Sequence, residues 1–321
     1  MDEFSIIEKY FSPLASKYSG ALGLKDDAAI VDIDPDYQII TTKDILIEGV
    51  HFFAKTDPAL IAKKLLRVNL SDLAAMGAEP VGYLLGLALN KNTDEKWISE
   101  FSKGLKEDID MYGGSLIGGD TTCHDGNIVL SLTALGKVKK GRAVLRSNAK
   151  IGDDIYVTGT IGDSYLGLNI LNQNIKKNDD YLVDRYHLPQ ARVKLSRKLH
   201  EIANSATDIS DGLIADLGHI CKSSNVGAKI YCKDVPLSDS AKSLIGDLDN
   251  FYEKILTGGD DYEIIFTSSK DKADLISNIG NSINLPIKKI GEIAEPDEKI
   301  KVLNLNGSEI KLDKAKGYQH F

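Results

Sequence analysis

Cysteine is scarce in this chain. Cys123, Cys221 and Cys232 are the three among 321 residues, and no two form a CxxC pair. An odd count without close spacing excludes a disulfide framework and gives no zinc pattern. Reduced, partly buried thiols are the plain reading. Basic charge is in deficit: 39 Lys and Arg face 47 Asp and Glu, a formal net charge of −8. That balance disfavours nucleic-acid binding, which needs a basic footprint to displace counterions. It leaves room for a small anionic substrate, because bound cations reverse the local sign. Long apolar runs are absent too. The longest, at 81–89, is about half a membrane span. The first residues, MDEFSIIEKY, carry acid before any apolar stretch, unlike a secretory signal. The expectation is a cytoplasmic chain with no membrane and no nucleic-acid partner.

Familiar nucleotide signatures are also missing. There is no GxxxxGK[ST], no HRD with DFG, and HEIAN at His200 is not HExxH, which excludes a Walker-type NTPase, a protein-kinase fold and a zincin. What remains is ordinary globular material, with 42% hydrophobic and 27% charged residues. The length suits about two domains.

Periodicity predicts helices over 4–10, 58–76 and 94–112, the last capped by Thr93. Strands are predicted over 28–33, 38–41, 81–89 and 128–138. Residues 137–150 hold six basic and no acidic residues. The domains are therefore drawn as 1–137, a linker at 138–150, and 151–321. The second half restarts with a strand at 154–158 and a helix at 164–171. Helices over 189–202 and 213–223 follow, then strands over 263–267, 287–293 and 301–305. Strands and helices alternate irregularly, so the fold class is read as α+β rather than a regular doubly wound sheet.

The informative pattern is where carboxylates fall. Asp26-Asp27, Asp44, Asp72, Asp120, Asp208, Asp211 and Asp260-Asp261 lie in short segments rich in Gly, Ser and Thr, at the edges of apolar runs. A carboxylate beside an apolar strand must be solvated, paired or bound to metal. Oxygen-rich clusters suit hard cations, Mg²⁺ above all when phosphates complete the shell. Glycines such as Gly118-Gly119 and Gly258-Gly259 let backbone N–H groups approach phosphate closely. Taken singly, each segment is also an ordinary turn or helix cap. Gly118-Gly119-Asp120 reads as a tight turn as well as a phosphate loop. Residues and spacing alone reach as far as a possible Mg²⁺-phosphate enzyme.

In order, GLKDDAAIVD, TTKDILIEGVHF, NLSDLAAMGAEP, GGSLIGGDTT, YVTGTIGDS, TDISDGLIADLGHI, LTGGDDYEIIFT and KGYQHF span residues 23 to 321. Together they resemble the thiamine-monophosphate kinase family, within the aminoimidazole ribonucleotide synthetase-like superfamily. The resemblance implies two α/β domains and a homodimer joined through the N-terminal sheets. The N-terminal domain would bind metal and ATP, and the C-terminal domain would complete the nucleotide and substrate site. It implies ATP-dependent phosphorylation of thiamine monophosphate to thiamine diphosphate, by direct in-line transfer assisted by several Mg²⁺ ions.

By that resemblance Asp27, Thr42, Lys43 (through its backbone), Asp44, Asp72, Asp120, Asp208 and Asp211 are metal ligands. Tyr112, Gly119, Asp120, Arg146 and Ser210 face ATP, and His51, Asp260 and Tyr318 face thiamine monophosphate. No residue serves as a covalent nucleophile. Asp72 and Asp120 are expected to share one metal–phosphate cluster. Three positions depart from the family pattern. Lys43 stands where a hydroxyl residue is usual, Cys123 where a basic one is, and Asp260 where a longer Glu is. Two other readings stay open. One is another ATP-dependent member of the superfamily, such as a selenophosphate or aminoimidazole ribonucleotide synthetase-like enzyme. The other is a cation-binding scaffold without turnover.

Overall fold

The computed structural model describes residues 3–246, 250–310 and 312. It divides into two compact units, residues 1–73 with 78–142, and residues 74–77 with 143–321.

The first unit runs α1 (Glu3–Ile6), β1 (Tyr37–Ile47), α2 (Pro58–Ala75), β2 (Glu79–Asn90), α3 (Glu95–Tyr112), β3 (Leu116–His124) and β4 (Val129–Lys139). Its sheet has the order β1-β4-β2-β3. β4 pairs antiparallel with β1 and β2, and β3 pairs parallel with β2. Along β4 the even positions, Leu130, Leu132 and Ala134, are fully buried, while Ser131 and Thr133 are half-buried. One sheet face thus carries the core and the other is partly open, as period-2 alternation requires. α2 packs on the covered face. A Cβ added at Gly136 of β4 would touch Leu73 of α2 at 3.0 Å, and one at Gly104 of α3 would sit 2.3 Å from the Ala59 carbonyl oxygen of α2.

The second unit runs β5 (Asp154–Thr158), α4 (Asp163–Leu171), α5 (Asp180–His187), α6 (Val193–Ile202), β6 (Ser205–Asp208), α7 (Leu213–Ser224) and β7 (Gly227–Tyr231). It continues with α8 (Asp239–Lys242), α9 (Phe251–Thr257), β8 (Ile264–Ser268), α10 (Ala273–Ser282), β9 (Ile287–Ala294) and β10 (Ile300–Leu303). Its six strands are ordered β10-β7-β9-β5-β8-β6. β5 (DIYVT) and β8 (IIFTS) are buried at every position, which explains why their apolar residues run consecutively instead of alternating. Two such mixed sheets with helices bear out the α+β reading.

Several local expectations differ. Residues 28–33 form no strand. Ala29 and Val31 pack on Ala15, Ala21 and Ile117, but Ile30 is 57% exposed, so alternation there reflects one anchored side of a loop. The cap of α3 is Asp94, whose carboxylate accepts from the Trp97 N–H, not Thr93. Gly118-Gly119-Asp120 lies inside β3 rather than in a turn. Glycines lower strand propensity, which hid that strand. β4 continues to Lys139, inside the segment expected to be linker. No helix among the described residues is long and apolar enough to cross a membrane.

Candidate active site

In the first unit, β1 sorts the Thr42-Lys43-Asp44 motif onto two faces. Thr42 and Asp44 point to the covered side, toward α2. There the Thr42 hydroxyl donates to Asp72 Oδ2 at 2.5 Å. Asp44 is half-buried beside Asp72, and its Oδ2 is shut from solvent with no hydrogen-bond partner among the described residues. Burial first, and the Asp72 charge second, push the Asp44 carboxyl up to about 7. A desolvated carboxylate, a second carboxylate beside it and a hydroxyl on rigid elements form a hard-oxygen set that fits Mg²⁺. The orphaned Asp44 oxygen is the position where such an ion would relieve the cost of burial.

Lys43 points to the open face instead. Its ammonium donates to Ser131 Oγ at 2.5 Å and lies 3.4 Å from Thr133 Oγ1. Register places Ile45, Ser131, Gly86 and Asp120 in one row across the four strands. Asp120 therefore shares the open face with Lys43. It ends that row three inter-strand spacings from β1, about 14 Å. Within this unit the structure does not bring Asp72 and Asp120 together, contrary to the shared cluster expected. A cleft of about 650 Å³ lies over the open face, lined by Asp26, Asp27, Lys43, Gly119, Asp120 and Thr121 among others.

His51, in the turn after β1, accepts at Nδ1 from the Ile47 N–H at 3.0 Å. That bond assigns the proton to Nε2 in the neutral ring. Tyr112, at the end of α3, covers the Arg67 guanidinium at 5.5 Å, and Arg67 pairs with buried Asp108 through two hydrogen bonds.

In the second unit the expected residues gather where β6 meets α7. Asp208 is buried at the end of β6. Arg146 donates from Nε to Thr207 Oγ1 at 3.1 Å, alongside a backbone bond from Ala206 N to the Leu145 oxygen. Ser210 and Asp211 occupy the following loop. Asp211, Asp216 and His219 offer ligand atoms all within 4.8 Å of one another. Asp216 and His219 were not singled out from the sequence, although their i, i+3 spacing on one helix face was the available signal. Asp216 Oδ2 accepts from the N–H groups of Asp211 at 3.0 Å and Gly212 at 3.2 Å. Burial, then the Asp211 charge, push the Asp216 carboxyl up to about 7, against the pull of those N–H groups and of Arg146.

Loop 258–262 lies directly on this segment. Asp260 N donates to the Ser210 oxygen and Tyr262 N to the Ile209 oxygen, both at 2.8 Å. A Cβ at Gly259 would fall 2.3 Å from the Ser210 oxygen, so only glycine allows the approach. Asp260 is half-exposed there. Tyr318 lies outside the described residues.

The AIR synthase related family models match this chain, the N-terminal domain over residues 25–138 and the C-terminal domain over 150–303. Among curated proteins, the thiamine-monophosphate kinase of Escherichia coli K12 is 40% identical over 99% of this chain and 98% of its own. The chain belongs to the thiamine-monophosphate kinase family. It is accordingly an enzyme of the thiamine-phosphate kinase class. Solved structures agree with the assignment. The crystal structure of thiamine-monophosphate kinase from Stenotrophomonas maltophilia K279a is 38% identical with a TM-score of 0.86, covering 97% of this chain and 98% of that one. A structure of AaThiL complexed with AMPPCP and TMP is 29% identical with a TM-score of 0.79, covering 100% and 99%.

Proposed function

We propose that this chain transfers the γ-phosphoryl of ATP to the phosphate of thiamine monophosphate, giving thiamine diphosphate and ADP by direct in-line displacement. An acceptor phosphate oxygen forms the new P–O bond, and the bond to the β–γ bridging oxygen breaks with its electron pair leaving on ADP. A phosphate monoester is largely a dianion at neutral pH, its second pKa being about 6. No general base is then required, and the enzyme's work is positioning and charge stabilisation.

The observation that carries this reading is the Thr42–Asp44–Asp72 cluster, with its orphaned carboxylate oxygen. Bound Mg²⁺ there would clamp phosphate oxygens and neutralise charge that develops in transfer. The chain's own groups do the rest. Asp27, Asp44, Asp72, Asp120, Asp208 and Asp211 are the proposed metal ligands, with Thr42 and the Lys43 backbone beside them. Lys43 keeps its side chain on Ser131, so only its carbonyl is offered in that role. Gly119, Asp120, Arg146, Ser210 and Tyr112 are assigned to ATP; the Arg146 guanidinium is suited to phosphate by its planar fork. His51, Asp260 and Tyr318 are assigned to thiamine monophosphate. The same reading includes a homodimer through the open sheet face, where Ile39, Ile45 and Leu84 are 37%, 49% and 40% exposed.

Phosphorus NMR of the protein with ATP, Mg²⁺ and thiamine monophosphate tests it. Thiamine diphosphate and ADP should appear in equal amounts, with no product when Mg²⁺ is chelated. Label from γ-labelled ATP alone should not remain on the protein. ATP hydrolysis without thiamine diphosphate rejects the activity, and a label that chases into product rejects the direct route.

A further inference from the structure

We propose that Asp261 is a positioning residue for the thiamine monophosphate end of the site, its buried carboxylate fastening loop 258–262 to the start of α4 so that Asp260 is held against Ser210. The proposal rests on the function proposed above, in which Asp260 faces that substrate.

The geometry begins with an uncapped helix. Gly162, immediately before α4, has φ 87° and offers no side chain to the first-turn N–H groups. Those groups need an acceptor when buried. Asp261 supplies it from 99 residues away. Its Oδ2 accepts from Gly162 N at 2.8 Å and its Oδ1 faces Ser164 N at 3.4 Å. Asp261 is 1% exposed, so this carboxylate is committed to the helix start and does not itself reach solvent.

What this fastening holds is strained. Asp260 and Tyr262, on either side, have φ of 69° and 50°. Left-handed backbone at a residue with a Cβ costs about 1 kcal/mol or more. It persists only where surroundings over-determine it. Here they do, through the backbone bonds of residues 260 and 262 to residues 210 and 209, and one from Ile209 N to the Glu263 oxygen. From the other side, Gly212 (φ 121°) could not carry a Cβ without meeting the Thr257 carbonyl at 2.8 Å. Two loops are thereby interlocked. One bears Ser210 and Asp211, the other Asp260. Simple packing would not call for two strained residues bracketing one buried anchor. Holding Asp260 at a set place beside the nucleotide loop does.

The anchor is braced in turn. Arg185 donates to Glu263 Oε1 at 2.9 Å, and Asp163 accepts from Thr160, Tyr181 and Ser238 at 2.5, 3.1 and 2.6 Å. Removing the anchor should let the loop relax, displacing Asp260 while Ser210 stays on its own strand end.

Michaelis constants for both substrates, beside the melting temperature, test this with Asp261→Asn. Asparagine keeps the shape and one acceptor but replaces the second acceptor with a donor. The constant for thiamine monophosphate should rise about tenfold, as expected of a displacement well under 1 Å, and that for ATP should change less than about twofold. Asp261→Glu should give the same split by pushing the loop outward, and it decides the matter if the Asn variant does not fold. A lowered melting temperature with both constants unchanged makes Asp261 a packing residue and overturns the proposal. Equal rises in both constants overturn it too. A wild-type chain that forms no thiamine diphosphate rejects the proposed function, and this inference falls with it. A wild-type chain that turns over normally beside unaffected variants rejects the inference alone.

Discussion

In the first unit, Asp44 and Asp72 come together with a threonine hydroxyl, and the groups that shift Asp44 are burial and a second negative charge, with no cation among them. In the second unit, Asp163, Asp261 and Glu263 are at least as deeply buried. There Glu263 is gripped by Arg185, by Arg192 through two nitrogens, and by the Thr158 hydroxyl at 2.6 Å. Both clusters place carboxylates beside buried strands. In the second unit Glu263 has its counter-charge in the fold, whereas no cation is among the groups that shift Asp44 in the first. A carboxylate's burial therefore says little about function until its cations are counted. A built-in guanidinium compensates a buried carboxylate, and burial without one raises its pKa.

The most damaging way to break this contrast is Asp44→Asn. With Asp44 in its proposed role as a metal ligand, the loss should cut turnover about a thousandfold. The same change should raise the melting temperature of the metal-free chain at pH 8, because it deletes a poorly compensated charge. Activity and stability moving in opposite directions, read by a coupled assay and calorimetry, distinguish the two clusters. A variant that loses both places Asp44 with the structural carboxylates instead.

Glu263→Gln should do the reverse. Breaking a buried pair leaves Arg185 and Arg192 short of charge and costs about 3–5 kcal/mol, seen as a lower midpoint in denaturant. Added Mg²⁺ should stabilise this variant as much as the wild type, whereas it should stabilise Asp44→Asn much less. A smaller effect is expected of Arg146→Lys. Lysine keeps the charge but loses the planar fork and the Nε bond to Thr207. The Michaelis constant for ATP should rise about fivefold, the worth of one hydrogen bond, with little change for thiamine monophosphate. Equal changes for both substrates would remove Arg146 from the nucleotide end.

Most of the regular fold was legible from apolar periodicity, because α2, β2, α3, β4, β5 and α7 carry it plainly. β3 was not, since Gly118, Gly119 and Asp120 read as turn residues and only pairing with β2 makes them a strand. β6, with the sequence SATD, is too short and polar to signal itself, and it is the strand that delivers Asp208. The site was legible as a set of motifs rather than as a geometry. Alternation along β1 sends Lys43 away from Thr42 and Asp44, and register sends Asp120 to the other face from Asp72. Neither follows from linear spacing without knowing which strands are neighbours. The brace was missed because Asp163 and Glu263, though inside quoted motifs, are 100 residues apart, and Arg185 and Arg192 sit in none.

The mildest test of the contrast is its pH dependence. In the absence of metal, the folded-state Asp44 carboxyl is pushed up to about 7, from an ordinary value of 3.8. The folded chain then binds more protons than the unfolded one between about pH 4 and pH 7. Stability must fall as pH rises through that window and level off above it. Asp216, also pushed up to about 7, adds a slope of the same sign, so the wild-type curve alone cannot apportion the effect. The difference between wild type and Asp44→Asn removes the Asp216 contribution and leaves that of Asp44 with its coupled neighbour Asp72. That difference should be small at pH 4.5, where Asp44 is largely protonated when folded, and should grow to about 8 °C in favour of Asn at pH 8. Saturating Mg²⁺ should reverse it, since a bound ion favours the ionised carboxylate and stabilises the wild type much more than the variant. A difference that stays constant from pH 4.5 to 8, or that ignores Mg²⁺, would mean Asp44 is compensated within the fold. The two clusters would then be of one kind.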